Sequence, residues 1–161
     1  MPLWALVGLA SGHEYPAHRR CRRVVGAVPT RQARVDSARL TTDAGVDLVV
    51  YAPGDRSAST VQVKANLGPK PSGGRGPLSR GWYFPHHCPA QLIALAALDT
   101  DTVWLFTLEE ARGLAQQHSD RGIRQLYWRL EPAMPGAAAP RHEGQMDAYL
   151  LAKRALQLFP G

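Results

Sequence analysis

The chain contains little cysteine and no long hydrophobic run, and each shortage excludes a class of protein. Its 161 residues include only 2 cysteines, Cys21 and Cys88, too few for a disulfide framework and without the spacing of a zinc knuckle. The apolar opening, residues 1–10, lacks a basic leader and is too short to cross a bilayer. We therefore expect reduced thiols, a cytoplasmic location and no contact with a membrane.

Negative charge is also in short supply. The chain has 19 Lys and Arg residues against 13 Asp and Glu residues, which gives a formal net charge of +6. Most of the cations are arginines, whose planar guanidinium groups make paired contacts with phosphates. This balance favours an anionic partner such as nucleic acid without establishing one. With 45% hydrophobic residues, the chain has enough apolar surface for one domain with a core.

The most informative segment is residues 45–66, which read GVDLVVYAPGDRSASTVQVKAN. They predict two strands that pair as a hairpin, because two apolar runs flank a turn containing Pro and Gly. Asp47 interrupts the first run. In the second run the polar residues Gln62 and Lys64 alternate with valines, so both lie on one face of the strand. The hairpin is expected to bring all three polar groups to one edge of a sheet.

This set of residues suits phosphodiester hydrolysis, which requires a hard divalent cation held by oxygen atoms. The carboxylate of Asp47, the side-chain carbonyl of Gln62 and the backbone carbonyl of Val63 are candidate metal ligands. Lys64 is a candidate for orienting or deprotonating water, or for stabilising the transition state. The pattern predicts a metal-dependent nuclease. The alternative is that these are ordinary solvated residues of a sheet.

Asp47, Gln62 and Lys64 resemble the central motif of the PD-(D/E)XK nuclease superfamily. In that motif an Asp precedes the second strand, and an acidic residue or Gln stands two positions before a Lys. The resemblance implies an α/β fold with a restriction-endonuclease-like core, in which a central mixed β-sheet is flanked by helices. It also implies an endonuclease that hydrolyses duplex or branched DNA with Mg²⁺, for which Mn²⁺ substitutes, and a homodimer for double-strand cleavage. Gln62 in place of an acid is expected to weaken metal binding.

The chain departs from this family at its N-terminus. Family members have an N-terminal helix with a Glu that completes the metal site, but Pro16 and Pro29 interrupt any helix in residues 1–32. Glu14 is the acidic residue in this segment and a candidate metal ligand. The second hypothesis is therefore a catalytically inactive nucleic-acid-binding or assembly module that retains the nuclease fold.

Composition and periodicity divide the chain into four parts: a divergent N-terminal segment (1–33), a nuclease-like core (34–131), a Pro/Ala/Gly-rich linker (132–144) and a C-terminal helix packing on the core (145–161). Within the core we expect strands at 34–40, 92–98, 102–107 and 126–130. A helix is expected at 108–117, with Thr107 as its N-cap and two glutamates in its first turn.

Residues 67–80 are rich in Gly and Pro and are expected to form an irregular loop. Lys70, Arg75 and Arg80 are candidate phosphate contacts, because the loop directly follows the proposed catalytic strand. The alternative is a mobile, solvated loop, since exposed Lys and Arg side chains are common.

Trp82, Tyr83 and Phe84 form a run of aromatic residues beside Pro85. Such a run is typical of a core, although aromatic side chains also stack on the bases of nucleic acids. The neighbouring His86, His87 and Cys88 suggest zinc, but a fourth ligand at ordinary spacing is absent from the sequence.

Overall fold

The computed structural model describes residues 36–39, 45–51, 57–132 and 141–159. In chain order the elements are β1 (Asp36–Arg39), β2 (Leu48–Tyr51), β3 (Ser59–Asn66), β4 (Lys70–Pro71), β5 (Leu78–Pro85), β6 (Leu92–Ala97), β7 (Thr102–Thr107), α1 (Leu108–Leu114), β8 (Gln117–His118), β9 (Ile123–Arg129) and α2 (Leu151–Leu158). Short 3₁₀ helices span Ser72–Gly74 and Glu143–Tyr149. None of the helices within these ranges is long and apolar enough to cross a membrane.

A five-stranded sheet in the order β1-β2-β3-β6-β7 forms the centre of the structure. Strands β3 and β6 pair in parallel, whereas the other neighbours are antiparallel. Every residue of β6 is buried, as is typical of a strand covered on both faces. The expectation of an α/β fold with a central mixed sheet is confirmed.

The two faces of the central sheet bury different cores. On one face, Val61 and Val63 of β3 lie in a cluster of aliphatic side chains that also contains Ala155 of α2. On the other face, a four-stranded antiparallel sheet in the order β4-β5-β9-β8 covers β6 and β7. A sheet, rather than a helix, therefore covers much of this second face.

Three tryptophans hold the two sheets together. The ring centroids of Trp82 and Trp128, from the four-stranded sheet, are 4.7 Å apart, and those of Trp128 and Trp104 are 5.0 Å apart. Tilted and edge-to-face contacts of this kind add to the stabilisation from burial. Alternation along β5 buries Trp82 and Phe84 and leaves Tyr83 exposed, so the aromatic run divides between core and surface.

Arg80 shares the inner face of β5 with these buried aromatic side chains and is only 3% exposed. Its guanidinium group donates hydrogen bonds to Asp99, at 2.5 Å, and to Glu143, at 3.0 Å. The prediction that Arg80 contacts phosphate is therefore wrong. Burial opposes its charge, but hydrogen bonds to the two carboxylates keep the pKa of Arg80 above its ordinary value.

Two expected elements differ from the structure. Residues 67–80 are more regular than a loop, because Lys70 and Pro71 pair with Ser79 and Leu78 across a turn. Gly73 and Gly74 in this turn have φ values of 58° and 85°, which favour glycine. The expected helix over 145–159 is replaced by a 3₁₀ helix and α2, because the extended Leu150 forms a bridge with Trp104.

The other expected elements are confirmed with shifted ends. The strands at 92–98 and 102–107 are β6 and β7, and α1 begins after Thr107 with the expected glutamates in its first turn. Thr107 and Glu110 form a capping box. The helix ends at Leu114 rather than 117, because Gln117 pairs with β9. Residues 1–33 and 133–140 lie outside the described residues, so the domain boundaries stay predictions.

Replacing Arg80 by Met is expected to lower the free energy of unfolding by about 2–3 kcal/mol, because two carboxylates lose their partner. This loss of stability is small for a broken buried ion pair, because Asp99 and Glu143 are partly exposed and water can solvate their carboxylates. Urea unfolding followed by tryptophan fluorescence measures it. The exposed Arg75→Met is the matched control, and equal stability of the two variants would contradict a structural role for Arg80.

The Arg80 hydrogen bond lowers the pKa of Asp99. A lowered pKa in the folded state means that Asp99 stabilises the fold above its unfolded pKa of about 3.9, and that this stabilisation is lost as the pH falls through the folded pKa. Unfolding curves measured from about pH 5 downward are expected to show a shallower loss of stability in Asp99→Asn than in the wild type. Asp120→Asn, at an exposed position, is the control and is expected to lose stability with falling pH as the wild type does. If Asp99→Asn loses stability as steeply as this control, the Arg80–Asp99 interaction is contradicted.

Candidate active site

The β2–β3 hairpin holds Asp47 against the edge of β3. The regular ladder ends at the pair formed by Leu48 and Val61, and the backbone N–H of Asp47 donates to the carbonyl of Val61 at 2.9 Å. One residue pair further on, Oδ2 of Asp47 accepts a hydrogen bond from the backbone N–H of Val63 at 2.8 Å. The carboxylate thus takes the place of a strand partner, and its position relative to β3 is fixed.

The backbone carbonyl of Val63 leaves β3 on the same edge. In a hydrogen-bonded pair of an antiparallel ladder, the N–H and the C=O of one residue both bond to the residue opposite. The two groups of that residue therefore point to the same edge of the strand. The N–H of Val63 is bound by Asp47, and its carbonyl is therefore directed to the edge where β2 has ended. Two oxygen-bearing groups, a carboxylate and a carbonyl, meet at this edge.

Gln62 lies in a tightly packed corner and is 5% exposed. The thiol of Cys88 lies 3.4 Å from Oε1 of Gln62 and donates to it. Gly45 closes the corner with a φ of 79°, and a Cβ added there would lie only 3.0 Å from Cδ of Pro89. Packing therefore restricts where the amide of Gln62 can lie.

Lys64 follows Gln62 by two residues and lies on the same face of β3. It is half-buried and forms no hydrogen bond or ion pair with the part of the chain that the structure describes. Asp47, Gln62 and Lys64 thus occupy adjacent positions on one short length of β3 and its edge.

Asp47 offers a carboxylate and Val63 a carbonyl at this edge, while the side-chain oxygen of Gln62 accepts from the Cys88 thiol. Mg²⁺ sites in proteins typically use one or two carboxylates and several waters, so Asp47 is the residue here that could hold such an ion. Over the described ranges, no group of three or more His, Cys, Asp or Glu side chains could hold a metal ion. Glu14 lies outside the described residues, so its proposed role stays a prediction.

Of the three predicted phosphate contacts, two lie on the surface. Lys70 in β4 and Arg75, directly after the 3₁₀ helix Ser72–Gly74, are exposed. Arg80, in contrast, is held in the interior by its two carboxylates. Lys70 and Arg75 follow β3 closely in the chain and remain available for an anionic ligand.

A cluster of arginines and histidines around His86 was not predicted from the sequence. Nε of Arg124 donates to Nδ1 of His86 at 2.7 Å, and Nε of Arg112 donates to the carbonyl of His86 at 2.9 Å. Neither guanidinium forms an ion pair with a carboxylate among the described residues. Because these residues come from three distant segments, no local pattern marks the cluster, which adds positive charge two residues from Cys88.

The chain matches no protein-family model and no curated protein. Among solved structures it is similar to a bacterial homing endonuclease, with 15% sequence identity and a TM-score of 0.47 over 78% of each chain. At this identity and TM-score, the likeness decides neither the family nor the activity. Membership of the PD-(D/E)XK superfamily therefore remains a prediction that depends on Asp47, Gln62 and Lys64.

Partial burial and the neighbouring Arg124 lower the pKa of His86. We expect its imidazole to titrate below the ordinary value of about 6.5 in an NMR pH titration. Arg124→Gln removes the cation and is expected to raise this pKa toward the ordinary value. Arg129→Gln, on the same strand but further from His86, is the control; an equal response in both variants would contradict the assigned cause.

Proposed function

We propose that this protein is a metal-dependent endonuclease that hydrolyses DNA phosphodiester bonds at the site formed by Asp47, Gln62 and Lys64. The observation that carries the proposal is the hydrogen bond from the Val63 amide to the Asp47 carboxylate. It fixes a carboxylate beside the Val63 carbonyl and next to the face that carries Gln62 and Lys64. Oriented oxygen ligands can hold the cation of a metal-assisted hydrolysis, and a nearby amine can stabilise the charge that develops on the phosphate.

In this proposal Asp47, Gln62 and the Val63 carbonyl would hold Mg²⁺, with Mn²⁺ as a substitute. The bound cation supplies Lewis acidity, which polarises the phosphoryl oxygens and lowers the pKa of a bound water. Asp47 contributes the negative charge of the set, and its hydrogen bond to Val63 keeps it oriented. Glu14 is a candidate for a second carboxylate.

Lys64 has a separate role in the proposal. Its amine has three donors, which can orient the attacking water or stabilise the negative charge that develops on the phosphoryl oxygens. Its partial burial would strengthen either interaction, because charges interact more strongly where water is reduced.

The proposed substrate is DNA, duplex or branched. Lys70 and Arg75 would contact phosphates, which positions a duplex without reading its sequence. The formal net charge of +6 favours such binding. Cleavage of both strands by a domain with one site would require a homodimer.

The second candidate is a non-catalytic nucleic-acid-binding or assembly module. The observation in its favour is that Asp47 already has a structural task, since its carboxylate continues the β2–β3 ladder through Val63. In this reading Asp47 maintains the hairpin and Lys64 is an ordinary surface cation.

Incubation of labelled supercoiled and branched DNA with Mg²⁺ or Mn²⁺ tests the proposal. Asp47→Asn keeps an acceptor for the Val63 amide but removes the negative charge, and Lys64→Met keeps the stem but removes the amine. We expect metal-dependent nicking by the wild type and a loss of roughly 100-fold or more in each variant. The exposed Lys153→Met on α2 is the matched control and is expected to cleave normally.

Thermal unfolding of each variant separates loss of activity from loss of fold. If Asp47→Asn and Lys64→Met cleave DNA at the wild-type rate, the assignment of this site is contradicted. DNA binding without cleavage by the wild type, with either metal, would support the non-catalytic module instead.

A further inference from the structure

The outer face of the four-stranded sheet carries one exposed tyrosine, Tyr83, and one half-buried tyrosine, Tyr127. Alternation along β5 and β9 turns Trp82 and Trp128 inward and Tyr83 and Tyr127 outward. Tyr83 is 61% exposed. A ring with this exposure can stack on a planar group of a ligand.

The register places polar amide groups around the two tyrosines. Tyr83 is paired with Gln125, and Gln125 is in turn paired with Gln117 of the edge strand β8. Tyr127 is paired with Gly81 and is therefore a diagonal neighbour of Tyr83. We call the surface formed by Lys70, Tyr83, Gln117, Gln125 and Tyr127 the tyrosine–glutamine face.

A cavity of about 440 Å³ opens on this face and is lined by all five of its residues, together with Asn66 and the turn after β4. Its volume lies within the range of small-ligand sites, about 300–1,000 Å³. Gly81 forms part of its wall, and a Cβ there would lie 3.3 Å from Cβ of Tyr127 and from Nε2 of Gln125. A side chain at Gly81 would therefore crowd Tyr127 and Gln125, two of the residues that line the cavity.

The cavity adjoins the proposed catalytic strand. Asn66 lies two residues after Lys64 on the same face of β3, and its Nδ2 donates to the carbonyl of Gly81 at 2.9 Å. This hydrogen bond joins the end of β3 directly to the wall of the cavity. A strand of nucleic acid with a phosphate at Lys64 would have a neighbouring nucleotide within reach of the cavity.

The charge of the face is complementary to a phosphodiester strand. Lys70 lines the cavity, and none of the described residues that line it is Asp or Glu. Arg129, opposite Ser79, lies on the same outward side of β9, and Arg75 follows the turn that borders the cavity. The charged side chains that the structure describes on this face are therefore cations, which attract an anion.

We propose that the tyrosine–glutamine face binds an unpaired nucleotide of a single DNA strand. Exposed aromatic rings on a sheet stack with bases, and they can do so only where the bases are unpaired and turned outward. The amides of Gln117 and Gln125 offer donors and acceptors to a base edge, while Lys70 meets a phosphate. That this nucleotide lies beside a scissile phosphate rests on the proposed nuclease function. That the face binds a single strand does not rest on it.

Fluorescence anisotropy of a labelled oligothymidine about 12 nucleotides long, in EDTA so that no cleavage occurs, tests the proposal; site sizes of sheet-based binders are about 4–16 nucleotides. We expect tighter binding of the single strand than of a duplex of equal length. Tyr83→Leu keeps an apolar side chain but removes the ring, and is expected to weaken binding about 5- to 100-fold. Tyr83→Phe keeps the ring and is expected to bind normally.

Tyr51→Leu is the matched control, because Tyr51 is an exposed tyrosine, 41% accessible, on β2 of the other sheet. A strand containing 2-aminopurine gives a second measurement, since stacking on the protein quenches its fluorescence. We expect this quenching in the wild type and Tyr51→Leu, and its loss in Tyr83→Leu.

Unchanged binding by Tyr83→Leu, equal losses in Tyr83→Leu and Tyr51→Leu, or preference for the duplex would each overturn the proposal. Tighter binding of the corresponding RNA would overturn the assignment to DNA. Asp47→Asn is expected to keep this binding while losing cleavage, so the two proposals fail separately. If binding depends on Tyr83 but the protein cleaves no DNA, the strand-binding proposal is supported and the nuclease proposal is contradicted.

Discussion

The parallel pairing of β3 with β6 is the constraint on which the rest of the structure depends. β6 is buried along its whole length, and β3, which pairs with it, is an interior strand whose two faces both pack against other parts of the protein. Its valines enter one core, while Gln62 and Lys64 lie on the opposite face. One edge of β3 is occupied by β6; on the other edge, the ladder with β2 ends at Leu48, and the carboxylate of Asp47 binds the next amide, that of Val63. The candidate site exists because β2 stops there and β3 continues.

A buried arginine with two carboxylate partners and a cluster of tryptophans attach the second sheet to the rest of the fold. Arg80 joins β5 to Asp99, in the turn after β6, and to Glu143, in the 3₁₀ helix that precedes α2. The three tryptophans fill the space beside it. A buried ion pair is weak evidence for stability in itself, but an arginine there without partners would be strongly destabilising. With its inner face fixed in this way, the four-stranded sheet turns Tyr83 and Tyr127 to its outer face, where Tyr83 is exposed.

Arginine serves two purposes in this protein. Arg80 and Arg154 each meet a carboxylate within the fold, and their charges are neutralised locally. Arg112 and Arg124 donate instead to carbonyls and an imidazole, and Arg75 is exposed. Among the described residues these three arginines form no ion pair: Arg112 and Arg124 lie at His86, and Arg75 follows the turn that borders the cavity. A net positive charge read from composition does not distinguish these two groups, although only the second can attract an anionic ligand.

The sequence alone determined what depends on neighbouring residues: the β2–β3 hairpin around Asp47, the strands β6 and β7, and the start of α1 at Thr107. These features follow from alternation, turn residues and a local cap, each within a few residues of chain. Only the tertiary structure decided that Arg80 is buried, since its partners are 19 and 63 residues away. It also decided that Tyr83 is paired with Gln125 and exposed, while Trp82 and Phe84 enter the core. Strand alternation puts Tyr83 on the opposite side from its neighbours, but which side is covered depends on contacts between segments far apart in the chain.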